Sequence, residues 1–334
     1  MAGDEIMVEA AGRDVRVTSP TKLYFPKRNL TKIDIIDYFL AVSGPVLNAL
    51  GGRPILLQRF PQGQAGKSFF QKRIPENAPD WLETTTVETV NGTPSRALVL
   101  ADEAHLVWAV NQGSFVLHAW PYRVPDEFVD ELRIDLDPTP GVTFEDVRAA
   151  AFLVREEFRE LGIEAWVKTS GSKGLHVYVP LADGWNSYDV RGAAVTLARH
   201  LSARHPTALT DKWWKEERGQ RVFIDFNQNA PHKTVFAAWS VRPRVGAQVS
   251  TPITWEELET VDPNTLTVET VPGRVDEQSD PWADMYEQPQ VIDDLVAEFN
   301  QNLKTIGDAP WPPVYPKQPF EPPRVAPSRA KRSD

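Results

Sequence analysis

Between residues 131 and 226 the apolar positions change period in an order that few folds accommodate. Leu132-Arg133-Ile134-Asp135-Leu136-Asp137 alternates with period two and stops at Pro138, which cannot continue a ladder. Residues 143–161 then repeat at helical spacing through Val147, Ala150, Ala151, Val154, Phe158 and Leu161, and Gly162 closes the helix. Strands are expected at 163–169 and 174–180, on either side of Ser170-Gly171-Ser172-Lys173, then a helix at 187–204 and a strand at 221–226. Strand–helix–strand–strand–helix–strand is the order of a split βαβ, RRM-like core.

The rest of the chain is less constrained. Val8, Val15 and Val17 mark a lead-in strand within 1–17. Thr31 N-caps a helix, with Asp34 three residues on and apolar spacing up to Gly44-Pro45. A short strand at 55–60 leads into the Gly-rich loop 61–67, and residues 74–95 read as a hairpin or exposed loop around Asn91-Gly92. A helix at 103–112 and a strand at 114–120 follow. Downstream, a strand is expected at 234–241, a helix and a strand within 254–270, and an acidic helix at 289–304. Eight of the 25 residues from 310 to 334 are Pro, which reads as a polyproline-like or disordered tail that could dock a repair protein. The expected class is α+β. An N-terminal α/β module (1–125) packs on the RRM-like core with its acidic C-terminal helix (126–305), and a Pro-rich tail (306–334) follows.

Composition excludes several chemistries. Cys is absent, which removes disulfides, thiolate zinc sites, Fe–S clusters and thiol nucleophiles. No apolar run approaches the length of a membrane span, and the N-terminus opens on acids without an apolar core, so a cytoplasmic protein is expected. The net charge of −10 by itself argues against nucleic acid, but its distribution reverses that. Residues 251–300 carry thirteen acids and one base, a contribution of −12, so the remaining 284 residues sum to +2. Residues 15–33 and 53–75 each hold five bases and no acid, with Tyr24, Phe25, Phe60, Phe69 and Phe70 among them. Such stretches suit phosphate tracking and base stacking, or simply solvated loops.

Asp135 and Asp137 are two apart on a strand, so both point to one face, and Pro138 places them at its exposed end. Adjacent carboxylates repel unless a cation sits between them, and an oxygen-rich site without Cys suits Mg²⁺ or Mn²⁺. Asp225, inside Val222-Phe223-Ile224-Asp225-Phe226, is a third acid that needs a partner. Three such acids can hold two metals that activate a 3′-hydroxyl and stabilise a leaving pyrophosphate. Taken alone, Asp-x-Asp also fits a strand-end turn or a helix N-cap. Lys168-Thr169-Ser170-Gly171-Ser172-Lys173-Gly174-Leu175-His176 offers backbone N–H groups, hydroxyls and cationic donors, either as a triphosphate cradle or as a plain polar hairpin.

Together, Asp135-Leu136-Asp137-Pro138, Thr169 to Val177, and Ile224-Asp225-Phe226-Asn227-Gln228-Asn229 resemble the three motifs of the archaeo-eukaryotic primase superfamily. Within it the chain is similar to the polymerase domain of bacterial ligase D, used in non-homologous end joining, over about residues 15–305. Further matches are Lys22-Leu23-Tyr24-Phe25-Pro26, Ser68-Phe69-Phe70-Gln71-Lys72, Leu117-His118-Ala119-Trp120, Pro231-His232-Lys233-Thr234 and Ser240-Val241-Arg242-Pro243. No Lys-x-Asp-Gly ligase motif is present, so a stand-alone primase-polymerase is expected.

The resemblance implies a template-dependent nucleotidyltransferase with two Mn²⁺ or Mg²⁺ ions at Asp135, Asp137 and Asp225, the last helping to deprotonate the 3′-hydroxyl. It implies contacts to an incoming NTP or dNTP from Ser170, Lys173, His176, Arg242, Gln228 and His118. It implies a downstream 5′-phosphate pocket at Lys22 and Lys32, and template stacking on Phe69 and Phe70. The implied substrate is gapped, primed or broken DNA in the nucleoid, with ribonucleotides accepted. Two departures stand out. Loop 211–220 carries Trp213-Trp214 among bases, expected to place one ring on the core and one on DNA. Loop 74–97 is Thr-rich with few bases, which favours gap filling or priming over bridging of ends. The competing readings are a metal-dependent phosphodiesterase or nuclease, which leaves the cradle idle, and an inactive DNA-binding module, which leaves the acids unexplained.

Overall fold

The structure, a computed structural model, describes residues 4–324. Its central sheet runs Leu209–Thr210, Val222–Asp225, Glu131–Pro138, Leu175–Pro180, Trp166–Thr169, Pro252–Ile253. The four inner strands stand in the order fourth, first, third, second along the chain, with helices Phe144–Glu160 and Ser187–Arg204 as crossovers, which is the RRM-like arrangement. Sequence chemistry sets these elements locally. Thr143 and Asp146 form a reciprocal capping box that starts the first helix, and Asn186 caps the second. Leu132, Ile134 and Leu136 bury one face of the central strand in the same core as Val147, Val154 and Phe158 on the first helix. The other face carries Glu131, Arg133, Asp135 and Asp137.

A second sheet runs Val235–Phe236, Val116–Ala119, Pro54–Arg59, Ser95–Val99, Thr84–Val87, with Phe69–Gln71 also paired to Pro54–Arg59. The expected strand at 234–241 is therefore corrected. Only Val235–Phe236 is extended, and it pairs antiparallel to Val116–Ala119, with Phe236 opposite His118. Trp239 at φ 63° turns the chain away. A short apolar run carries no signal for which of two sheets it joins. The lead-in strand is a hairpin, Glu5–Ala10 with Arg13–Thr18. The helix capped by Thr31 ends at Ala41, and a second helix, Ser43–Leu50, holds Pro45 in its first turn, where no donor is missed. The helix expected within 254–270 is Trp255–Leu258, while the strand beside it, Pro252–Ile253, lies just before that stretch rather than inside it. Among the described residues no single helix is long and apolar enough to cross a membrane.

The two sheets meet on a buried ionic seam. Arg53, fully buried, contacts Asp130 at 2.6 Å and Glu131 at 2.8 Å, and Glu131 also contacts Arg133 at 2.6 Å. Arg133 donates to the carbonyls of Ala119 (3.1 Å) and Trp120 (3.2 Å), and the Tyr286 hydroxyl donates to Glu131.

The tail was expected to be polyproline-like or disordered, and its described part, up to residue 324, is docked on the core. Trp311 and Tyr315 pack with Ala230, the Arg191 guanidinium lies 3.9 Å over the Trp311 ring, and Arg191 pairs with Asp308 at 2.9 Å. Asn227 Nδ2 donates to Pro310 O (3.0 Å), and the Tyr315 hydroxyl donates to Pro231 O (2.7 Å). Proline-rich composition sets backbone stiffness, but two aromatic anchors decide docking. Lys331-Arg332 lies outside the described residues.

Candidate active site

The register of the central sheet lines up four chemistry-bearing side chains across four strands. Asp135 stands opposite Asp225 on one side and His176 on the other, and His176 stands opposite Lys168. Asp137 lies two residues along from Asp135, at the mouth. Burial pushes the Asp135 carboxyl well above the usual carboxylate range, and Asp137 and Asp225 push it further. Desolvation also raises Asp137 and Asp225. Asp135 Oδ1 is buried without a hydrogen-bond partner, while Gln228 Nε2 donates to Asp135 Oδ2 (3.2 Å) and Asp225 Oδ2 (2.9 Å). Among the described residues no three His, Asp or Glu already stand together as a metal cage. An orphaned carboxylate oxygen beside two further under-compensated acids nonetheless fits a hard divalent cation, with the Gln228 amide occupying the space between two of them.

The turn after Trp166–Thr169 is built around its own side chain. Ser170 Oγ accepts from Ser172 N (3.2 Å) and Gly174 N (3.1 Å), so this hydroxyl organises the loop. Gly171, at φ 68°, has no room for a side chain, since a Cβ would stand 2.8 Å from Arg242 Cγ and 3.0 Å from Ser250 N. Lys173 is exposed at the tip. His176 is not the cationic donor expected from sequence. Burial, with Lys168 and Arg242 nearby, holds it well below the usual imidazole range, so it is neutral. Its Nδ1 is buried without a partner, and its Nε2 lies 3.4 Å from Asp135 Oδ1. Arg242 donates through Nε to Ser170 O and lies 3.5 Å over the Phe236 ring. Burial lowers its pKa to about 10, so it stays charged at neutral pH.

Asp135, Asp137, Ser170, Lys173, His176, Gln228, Arg242 and His118, far apart in sequence, all line one cavity of about 430 Å³. The His118 ring sits between Phe70 and Phe236, at 5.5 Å from each, and burial lowers its pKa to about 3.

The DNA-side residues divide. Phe69 and Phe70 are 48% and 56% exposed, so this aromatic pair is open to a partner. Lys22 is half-buried and donates to Pro61 O. Lys32 is 4% exposed, and its ammonium is held by Thr18 O, Asn111 O and Asn111 Oδ1, which take its three protons. It cannot also touch a phosphate directly in this arrangement. Burial and Lys22 lower its pKa to about 8. Trp213 packs edge-on against Phe223 at 6.5 Å, while Trp214 stays half-buried at the start of a short 3-10 turn. Sequence reasoning placed Lys168 in the cradle segment and Arg218 in the basic loop 211–220 but gave neither a role at the site. Lys168 is fully buried behind His176 and donates to Ser250 Oγ at 2.6 Å. The Arg218 guanidinium lies 3.5 Å over Phe223, and its charge bears on Asp137 and Asp225. Lys168 faces the site because it stands opposite His176 across the sheet, while Arg218 reaches it from a loop.

An RRM-like sheet presenting three acids beside a basic, glycine-containing turn defines a nucleotidyltransferase of the primase-polymerase class. The chain belongs to the LigD primase-polymerase domain family, whose profile matches residues 31–282. It is 32% identical over 306 residues to the multifunctional non-homologous end joining protein LigD of Mycolicibacterium smegmatis, covering 91% of this chain and 40% of that protein. It is 30% identical to the bifunctional LigD of Bacillus subtilis, covering 83% and 45%. The chain thus spans less than half the length of these relatives. Among solved structures, the polymerase domain of Mycobacterium tuberculosis ligase D in complex with DNA superposes with a TM-score of 0.76 at 30% identity, covering 82% of this chain and 98% of that one. Polymerase domains of this family are metal-dependent.

Proposed function

We propose that the chain extends the 3′ end of gapped, primed or broken DNA in template-dependent fashion, taking ribonucleotides as well as deoxynucleotides, in gap filling or end joining. The observation that carries this is the convergence of acids, neutral imidazoles, Arg242 and Lys173 on one cavity, with Asp225 in register beside Asp135. Asp135, Asp137 and Asp225 would hold Mn²⁺ or Mg²⁺, which supplies charge for 3′-hydroxyl activation and pyrophosphate departure. Gln228 would release the carboxylates it bridges. Asp225, in register beside Asp135, would help to take the 3′-hydroxyl proton. Arg242, Lys173 and the backbone N–H groups of the 171–174 turn would bind the triphosphate, and neutral His176 would donate a hydrogen bond without adding charge. Phe69 and Phe70 would stack template bases, and Trp214 a further base. Lys22 would meet the downstream 5′-phosphate, with Lys32 adding charge from beneath.

The test is a labelled primer–template with Mn²⁺ and either rNTPs or no nucleotide. Extension that needs nucleotide supports the reading. Shortening without nucleotide would turn it into a nuclease, and simple retention into a binding module.

A further inference from the structure

Asp135 and Asp137 line the active-site cavity together with Gln228, whereas the third acid, Asp225, is not among the described residues that line it. Gln228 stands in between. Its Nε2 spends both protons on carboxylates, donating to Asp225 Oδ2 at 2.9 Å and to Asp135 Oδ2 at 3.2 Å. The other oxygen of Asp225 is engaged as well, since Oδ1 accepts from Asn227 N at 3.0 Å. A neutral amide thus joins two acids across the sheet. It satisfies two acceptors without supplying the positive charge that adjacent carboxylates call for.

The surroundings decide what can move. Gln228 belongs to the 3-10 turn Phe226–Asn229, between two buried asparagines. Asn227 accepts from Arg191 Nε at 2.8 Å and donates to Pro310 O at 3.0 Å. Asn229 accepts from Arg133 N at 2.8 Å and donates to Arg133 O at 2.7 Å. The turn is therefore pinned on both sides of Gln228. The Gln228 side chain itself is half-buried on the cavity wall, and a change of its rotamer uncovers Asp225 without disturbing the turn.

We propose that Gln228 is a latch on the metal site, a positioning residue that withholds Asp225 from a divalent cation until its amide is drawn away. The inference rests on the polymerase reading, in which a nucleoside triphosphate enters this cavity and offers the amide other acceptors. The two cation positions are then unequal. A cation held by Asp135 and Asp137 meets both acids on the open wall, whereas one that needs Asp225 must first displace Gln228. A cation arriving alone breaks both amide bonds by itself, so its apparent affinity is reduced by the fraction of chains in which the latch is open. A cation arriving with a nucleotide does not carry that cost alone, so the two load together. This order keeps the three acids from assembling a metal pair on a DNA end before a nucleotide is present.

The test measures Mn²⁺ binding by the electron paramagnetic resonance signal of the free ion, on the whole chain without DNA or nucleotide. Gln228→Ala should bind Mn²⁺ about tenfold more tightly than wild type, the net worth of two hydrogen bonds that no longer have to be broken. Truncating a metal ligand would do the opposite and weaken binding. The gain should come from Asp225, so Gln228→Ala combined with Asp225→Asn should bind no more tightly than Asp225→Asn alone. Gln228→Ser, too short to span the two carboxylates, should reproduce the gain if melting curves show that Gln228→Ala folds poorly. Unchanged or weaker Mn²⁺ affinity in whichever variant folds, or a gain that survives Asp225→Asn, overturns the latch. A tightened, Asp225-dependent Mn²⁺ site in a chain that extends no primer would sink the catalytic reading and leave the latch standing.

Discussion

The two ends of the Glu131–Pro138 strand present acids to the same face and treat them in opposite ways. At the start, Glu131 is buried among Arg53, Arg133 and Tyr286. Burial alone would raise its carboxyl, but the two guanidiniums hold it down at about 2. Four residues on, Asp135 meets burial with two more acids beside it and is pushed up. One end is charge-compensated and acts as structure. The other leaves charge unanswered, and that deficit is what a metal and a triphosphate would fill. A buried acid on a strand is therefore no guide to function by itself, and the sign of its neighbours decides.

The largest effect that separates the two ends is on activity. Asp135→Asn or Asp137→Asn should drop primer extension below detection, while DNA affinity stays near wild type and the melting temperature of Asp135→Asn stays level or rises. Full extension by both variants would remove the metal role. At the other end, Glu131→Ala leaves Arg53 and Arg133 buried without their carboxylate and should cost about 3–5 kcal/mol, read by urea unfolding. A cost within error would mean that the seam is not structural.

Protonation sharpens the contrast further. The lowered Glu131 contributes stability that is complete above about pH 4.5 and lost as pH falls toward about 2. The raised Asp135, Asp137 and Asp225 contribute in the opposite sense, with stability present below the ordinary carboxylate range and lost as pH climbs through their raised values. Melting temperatures in chelator should decline as pH rises above the ordinary carboxylate range, and Mn²⁺ or Asp135→Asn should flatten that decline. An unchanged slope in both would contradict the assignment. The smallest effect concerns the cationic counterpart, Lys22 beside Lys32. Lys22→Ala should weaken binding to gapped DNA with a 5′-phosphate, do little without it, and lower the salt slope by about one. Equal losses on both substrates would make Lys22 a general backbone contact.

How much of this was legible follows from the range of each interaction. The RRM-like core was readable because Leu132, Ile134, Leu136 and the helix stripe from Val147 to Phe158 repeat at fixed periods. Asp135, Asp137, Ser170, Lys173, His176 and Gln228 were readable because three motifs carry them, and His118 and Arg242 because two shorter matches do. The seam was not, since Arg53 and Glu131 pair across 78 positions without any local signature. His176 looked cationic because sequence cannot show that it is buried, with Lys168 and Arg242 near it. The burial of Lys32 was not legible because its three acceptors come from Thr18 and Asn111, which only the fold brings near.

The pairing of Val235–Phe236 with Val116–Ala119 also bears on how the chain is made. During synthesis the ribosome releases residue 119 well before residue 236. At 5–20 residues per second, those 117 positions take about 6 to 23 s. Through that interval the Val116–Ala119 strand, which carries His118, is an unpaired apolar edge, the kind of surface that invites mispairing or a holding chaperone. The nascent N-terminal half cannot finish its own sheet, so the cavity lined by His118 and Phe236 closes late and only in chains that have been translated past Phe236.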